Sequence, residues 1–382
     1  MSASNTRQAV AARLAALNAL VEEDDGREAA ILAALEDEAP AVRERAIRLA
    51  ARYVEPAVLG ELVADEVNAV RRNAAITALE RQGPYALPQL QAMLGHRQTD
   101  VVMFALQVLS RIGDPAATPG ILPLARHPDL NVAQSAIEAL GQLRSGGAVP
   151  ALLELLGGEL WIQLAAIDAL GAIGDPRAVG PLVELVPDSV VAEPALQALQ
   201  RLAAPESLEP LLHRLMIVRE RSLRDALLLA VGVVIDLHPD PGPAAGRLAR
   251  ELALGHGDGL LLYLEQVLRG EAAPAEGHDE GDLLRAAAAL AVVAGLETLL
   301  PFVLLRVAEP DGAAWAEALL RQHPAALRDS GDRLLEHEDP RVRRGALLAT
   351  GFGPEEISRL VRHLGDPVAE VRAAACRALA QT

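Results

Sequence analysis

The chain has 382 residues, of which 51% are hydrophobic and 2% aromatic, and it carries a formal charge of −17. Such an acidic surface is repelled by phosphate backbones and anionic lipid, which excludes nucleic acid and membranes as expected partners. So few aromatics leave little for base stacking or a large ligand cage, and one cysteine excludes an internal disulfide framework or redox pair.

From its start the chain repeats itself. Residues 6–20 read as an amphipathic helix rather than the apolar core of an export signal, and they contain the first copy of an alanine followed four residues on by a leucine. The pair recurs at Ala16/Leu20, Ala75/Leu79, Ala105/Leu109, Ala136/Leu140, Ala166/Leu170, Ala195/Leu199, Ala286/Leu290, Ala316/Leu320 and Ala375/Leu379. Ala46/Ala50, Ala226/Ala230 and Ala346/Thr350 fall in phase with the leucine replaced, and His256 breaks the series. Successive alanines lie 29 to 31 residues apart, the step from Ala226 to Ala286 being two periods. A period of this size marks a stacked-repeat solenoid.

Each unit predicts two helices. The first carries the alanine pair and ends near glycine, as at Gly113-Asp114-Pro115 and Gly174-Asp175-Pro176. Glycine supplies the left-handed residue past a helix, and proline fits the first turn of the next one. The second helix follows, as in residues 148–156 and 178–186, with apolar residues at three- and four-residue steps. Between about Leu237 and Leu283 the pattern weakens into Pro239-Asp-Pro-Gly-Pro, Gly255-His-Gly-Asp-Gly and an acidic run holding Glu271, Glu276, Asp279, Glu280 and Asp282. This run is expected to be a mobile surface loop. Beyond it, Ala286 to Leu305 is apolar, but Glu297 and Pro301 divide it into two helices of one repeat rather than a membrane span. Cys376 falls at a core-like helical position and is expected to be a small buried hydrophobe.

The strings Asp65-Glu-Val-Asn-Ala-Val-Arg-Arg-Asn-Ala-Ala-Ile-Thr-Ala-Leu, Asp339-Pro-Arg-Val-Arg-Arg-Gly-Ala-Leu and Asp366-Pro-Val-Ala-Glu-Val-Arg-Ala-Ala-Ala-Cys-Arg-Ala-Leu resemble HEAT repeats. They are most similar to the HEAT-like repeats of phycobilisome lyases, and the resemblance covers roughly residues 8–381. It implies an all-α superhelix of about twelve antiparallel helix pairs, with the second helices lining a concave face. In the spacings Asp37/Arg43, Asp65/Arg71, Asp339/Arg343 and Asp366/Arg372, the aspartate is placed to cap a helix and the arginine to pair with a carboxylate of an adjacent unit.

Motifs of chemistry are missing. His96, His127, His213, His238, His256, His278, His323, His337 and His363 are scattered, with no His-Glu-x-x-His and no zinc spacing. HEAT-repeat deoxyhypusine hydroxylases hold di-iron through several His-Glu pairs; this chain offers His337-Glu338 alone. HEAT-like DNA glycosylases have a basic face that the charge here opposes. Gly255-x-Gly-x-Gly lacks the Lys-Ser/Thr of a phosphate loop, and Gly-x-Ser-x-Gly is absent. No cofactor or metal is expected.

Partner contacts favour aromatic residues on accessible surface. Phe104 and Trp315 each precede a signature alanine, at a register position that elsewhere holds Arg45, Ser135, Asp225 and Arg285 and is therefore expected to lie outside the deep core. Trp161 stands where Asp100 and Asn131 open equivalent helices, near an inter-repeat loop. These three aromatics, with Glu271, Glu276, Asp279, Glu280 and Asp282, are the candidate protein-binding residues. The expected organisation is one continuous solenoid in three stretches: an array over 1–236, an irregular repeat over 237–283 and an array over 284–382. The expected role is a non-enzymatic scaffold or adaptor, monomeric in isolation and cytoplasmic, that binds partner proteins through its concave or edge surface. The absence of lysine points to a GC-rich bacterial genome, and family analogy suggests a signalling or motility assembly. The alternative implied by the resemblance is a phycobilin-lyase-like or other ligand-handling enzyme.

Overall fold

The computed structural model describes residues 3–19, 26–65, 67–187, 190–238, 251, 258–308, 313–323, 327, 330–349 and 357–381. His256, Leu20, Thr350 and most of the Gly/Pro-rich stretch before residue 258 lie outside them. Among the described residues every regular element is helical, as the repeat reading requires. The chain divides into two compact units, Met1–Asp175 and Pro176–Thr382.

The first unit contains α1 (Ala3–Ala19), α2 (Arg27–Ala34), α3 (Pro40–Tyr53), α4 (Pro56–Val63), α5 (Ala69–Gln82), α6 (Leu87–Met93), α7 (Thr99–Ile112), α8 (Thr118–Ile121), α9 (Leu130–Gln142), α10 (Val149–Leu155) and α11 (Leu160–Ile173). The first helices α1, α3, α5, α7, α9 and α11 pack in sequence order, while the short second helices α2, α4, α6 and α10 pack on the first helix that follows them. The second unit contains α12 (Val179–Leu185), α13 (Ala192–Leu202), α14 (Leu208–Ile217), α15 (Arg221–Leu237), α16 (Asp258–Arg269), α17 (Glu280–Val293), α18 (Leu300–Val307), α19 (Ala313–Gln322), α20 (Gly331–Leu335), α21 (Pro340–Ala349), α22 (Ile357–Arg362) and α23 (Ala369–Gln381). Its strongest packing joins α15 to α17 and α21 to α23. No helix among the described residues is long and apolar enough to cross a membrane, and Ala286–Leu305 divides between α17 and α18.

The alanine period has a packing cause. Ala46, Ala75, Ala105, Ala136, Ala166, Ala195, Ala226, Ala286, Ala316, Ala346 and Ala375 are all buried. A methyl group at that point lets successive first helices approach closely, and Gly141 shows how closely: a Cβ there would stand 2.8 Å from the Ala169 Cα on α11. Two expectations at the ends of the series are corrected. Ala16 is exposed and its neighbour Leu17 is buried instead. Cys376 is exposed as well, because the inward stripe of α23 is Val371, Ala374, Ala375 and Ala378, and the next residue round turns about 100° away.

The turns between helices are held by side chains. Gly113 and Gly174 end α7 and α11 in the left-handed conformation, as expected. The carboxylates of Asp37, Asp65, Asp339 and Asp366 each accept the N–H two residues on, at 2.8–2.9 Å. The arginines do something the spacing did not reveal. Arg43, Arg343 and Arg372 each donate to the carbonyl six residues back, that of Asp37 (2.6 Å), His337 (2.7 Å) or Asp366 (2.8 Å), and so clamp the turn of their own unit. Ladder pairing also occurs, between Arg13 and Asp37 at 2.9 Å and, through two parallel contacts, between Arg343 and Asp366. Nor are the histidines scattered without order: the Nδ1 of His96, His127 and His337 accepts the N–H two residues on, each at 3.1 Å. They are turn caps.

Candidate protein-binding surfaces

Phe104 lies half-buried on α7 with the Arg72 guanidinium 5.2 Å above its ring. It stands between two open grooves of the first unit. One, of about 390 Å³, runs between α7 and α9 and is lined also by Met103, Gln107, Ser135 and Glu138. The other, of about 290 Å³, lies where the turn before α7 meets Val63, Ala64 and Arg72.

Trp161 is the second residue of α11 and is 68% exposed. The sequence singled it out for replacing a polar helix-opening residue, but it missed its neighbours. Leu160 on the same turn is 42% exposed, and Leu130, one period earlier at the start of α9, is 48% exposed. Their exposure was hidden because leucine at a helix start reads as core. In the second unit Trp315 is half-buried on α19 beside the buried Ala316, so only part of its ring is available.

The acidic run separates into two roles. Asp279 caps α17 by accepting the Asp282 N–H at 3.0 Å, and Glu280 and Asp282 occupy that helix's first turn, where carboxylates complement the backbone dipole. Glu271 lies 3.7 Å from Arg269, and Glu276 is exposed in the turn at 276–277. The loop from 270 to 279 is tied down rather than free: Asp225, 1% exposed on α15, accepts the Ala275 N–H at 2.8 Å and the Tyr263 hydroxyl at 2.5 Å. Arg221 also donates to the Ala273 carbonyl. Burial, with the Asp225 carboxylate next to it, pushes the Tyr263 hydroxyl pKa far up. The register position before the signature alanine therefore does reach the core here, contrary to the expectation from Arg45, Ser135 and Arg285.

A further groove of about 470 Å³ in the second unit is lined by Arg269, Phe302, Arg306, Arg341 and Glu271. The Arg269 guanidinium stacks 4.8 Å from the Phe302 ring, and Arg306 donates to the Leu268 carbonyl at 3.0 Å. Groups of histidine, cysteine or carboxylate that could hold a metal ion are absent among the described residues. At the C-terminal end, burial lowers the His363 pKa, while hydrogen bonding to Arg343 holds Asp366 below the usual carboxylate range.

Comparison with known proteins bears on the fold. A family model described as HEAT repeats matches residues 56–125, 87–161 and 118–200, and one described as HEAT repeat matches 357–381. Comparison with the curated proteins returns no match. Among solved structures, importin beta is 14% identical over 92% of this chain and 56% of its own, with a TM-score of 0.54. Kap95p, solved with RanGDP, is 14% identical over 94% of this chain and 57% of its own, with a TM-score of 0.55. The chain thus spans a little over half the length of these proteins. The complex of CpcE and CpcF of phycocyanin lyase from Nostoc sp. PCC7120 is 20% identical over 62% of this chain and 94% of its own, with a TM-score of 0.33. With its thirty-residue period, its stacked first helices and matches to HEAT-repeat models over residues 56–200 and 357–381, the chain is an α-solenoid that resembles HEAT-repeat proteins.

Proposed function

We propose that the protein is a non-enzymatic scaffold or adaptor that binds partner proteins through its exposed helix faces and edges. The observation that carries this reading is the exposure of Trp161 beside Leu160 and Leu130 on adjacent helices. Large apolar side chains grouped at the surface of a stacked array mark interaction sites. The structural neighbours support the same class of role, since Kap95 forms a complex with Nup1 and Kap95p binds RanGDP. Phe104, with its flanking grooves, and the half-buried Trp315 are secondary contact points, and Glu271 and Glu276 are the loop carboxylates best placed to meet a basic surface. A cytoplasmic, bacterial setting such as a signalling or motility assembly fits the all-arginine composition.

The test is cross-linked capture from the native host with the full chain as bait, comparing the natural sequence with Trp161→Ala and Phe104→Ser. The expected result is a discrete protein whose recovery drops in one or both variants. Recovery of a pigment or metal, with no protein that responds to either variant, would overturn the adaptor reading.

A further inference from the structure

Successive first helices of the first unit run the same way, because a second helix returns the chain between them. The N-termini of α5, α7, α9 and α11 therefore share one edge, and their C-termini share the other. The inter-helix turns and the first turns of the helices on the N-terminal edge carry Glu36, Asp37, Glu38, Asp65, Asp100, Asp129 and Glu159 against Arg43, Arg71, Arg72, Arg97 and Arg126. The opposite edge carries Arg52, Arg81, Arg111 and Arg144 against Glu55, Glu80, Asp114 and Asp175. The N-terminal edge is thus the more acidic of the two.

Helix dipoles account for part of this, since carboxylates favour helix starts and arginines favour helix ends. They do not account for the apolar side chains on the acidic edge. The same register positions hold Thr99 and Asp100 on α7 and Asn131 on α9, so polar residues satisfy the helix start. Leu130, Leu160 and Trp161 instead leave large apolar surfaces in water, bordered by Asp129 and Glu159. Leu130 and Leu160 hold equivalent register positions on α9 and α11, which pack on each other, so the three exposed side chains open neighbouring helices on the same edge.

We propose that this edge docks a basic, amphipathic polypeptide segment, whose apolar side chains cover Leu130, Leu160 and Trp161 while its arginines or lysines meet the flanking carboxylates. The proposal rests on the adaptor reading and adds to it the surface and the chemistry of the partner. Charge opposes the other occupants: a second copy carries the same net charge of −17, and nucleic acid or anionic lipid would be repelled.

Fluorescence anisotropy with the full chain tests this, using a labelled 18-residue leucine–lysine peptide whose leucines fall at helical spacing. A scrambled leucine–lysine peptide and a leucine–glutamate peptide of the same apolar pattern serve as controls. The expected result is binding of the patterned basic peptide alone. Trp161→Ala and the pair Leu130→Ser with Leu160→Ser should weaken it by about tenfold or more, although the net charge is unchanged. Tyr85→Ala, an exposed aromatic beyond the C-terminal end of α5, should leave the affinity within about twofold. Melting curves confirm that each variant is folded. Undiminished binding by the patch variants, or equal binding of the scrambled or acidic peptide, would overturn the proposal. A host protein captured through Trp161 that carries no basic amphipathic segment would overturn this proposal while leaving the adaptor reading standing. Capture of no protein at all would remove the adaptor reading itself.

Discussion

A carboxylate that is 1% exposed has to replace its hydration with donors of comparable quality, and Asp225 finds two: the Tyr263 hydroxyl and the Ala275 N–H. The pair closes the 270–279 loop onto α15, linking residues 38 and 50 positions apart in sequence. Asp225→Ala would strand both donors, at a cost of about 2–4 kcal/mol. Tyr263→Phe removes one donor and leaves the other bond, at a cost of about 1 kcal/mol. Denaturant melts of the two variants check the ranking, and hydrogen exchange across 270–279 should quicken in Asp225→Ala alone; equal costs would mean that the loop contact contributes nothing. This tie could not be read from the sequence, because an aspartate at that register position looks like the exposed Arg285 one position before its own signature alanine. Only burial, set by a tyrosine far along the chain, distinguishes them. The same holds for His96, His127 and His337: their recurrence was visible, but a search for metal spacing does not ask whether an imidazole caps a turn.

At the scale of helices, the repeat was legible because close packing demands small side chains at a fixed interval, and eleven of the twelve signature alanines prove buried. The first, Ala16, fails because a helix rotates about 100° per residue, so a one-residue offset at the end of a series changes which side chain faces inward. Cys376 was misread for the same reason. The close approach of α9 and α11 gives a direct test. Alanine normally stabilises a helix over glycine by roughly 0.8–1.0 kcal/mol, yet at position 141 its Cβ would press on the Ala169 backbone at 2.8 Å. The steric term of about 1–3 kcal/mol should win. Gly141→Ala is therefore expected to lower the melting temperature, whereas Gly180→Ala on α12, where a Cβ meets nothing within 4 Å, should leave it level or higher. A melting temperature for Gly141→Ala at or above the natural value would show that the two helices can part without cost.

Across the whole chain the charge of −17, counted with histidine neutral, opposes compaction. Proton uptake lessens this negative charge, so self-repulsion relaxes as pH falls. His363 works against this trend: its folded pKa is lowered by burial, so its contribution is present above the unfolded value of about 6.5 and is lost as pH falls through the folded value. The two effects oppose each other and leave stability nearly level between pH 8 and 5. Further acidification meets Asp339 and Asp366, both held low by hydrogen bonds to arginine. A depressed carboxylate contributes stability above its unfolded pKa of about 3.9 and loses it as pH falls through the folded value. Melting temperature followed by circular dichroism should therefore be nearly flat from pH 8 to 5 and drop below about 4. Asp366→Asn, which cannot ionise, should start lower at neutral pH and lose less on acidification. An acid limb of unchanged depth in that variant would show that the Arg343 contact is not what couples the C-terminal repeat to pH.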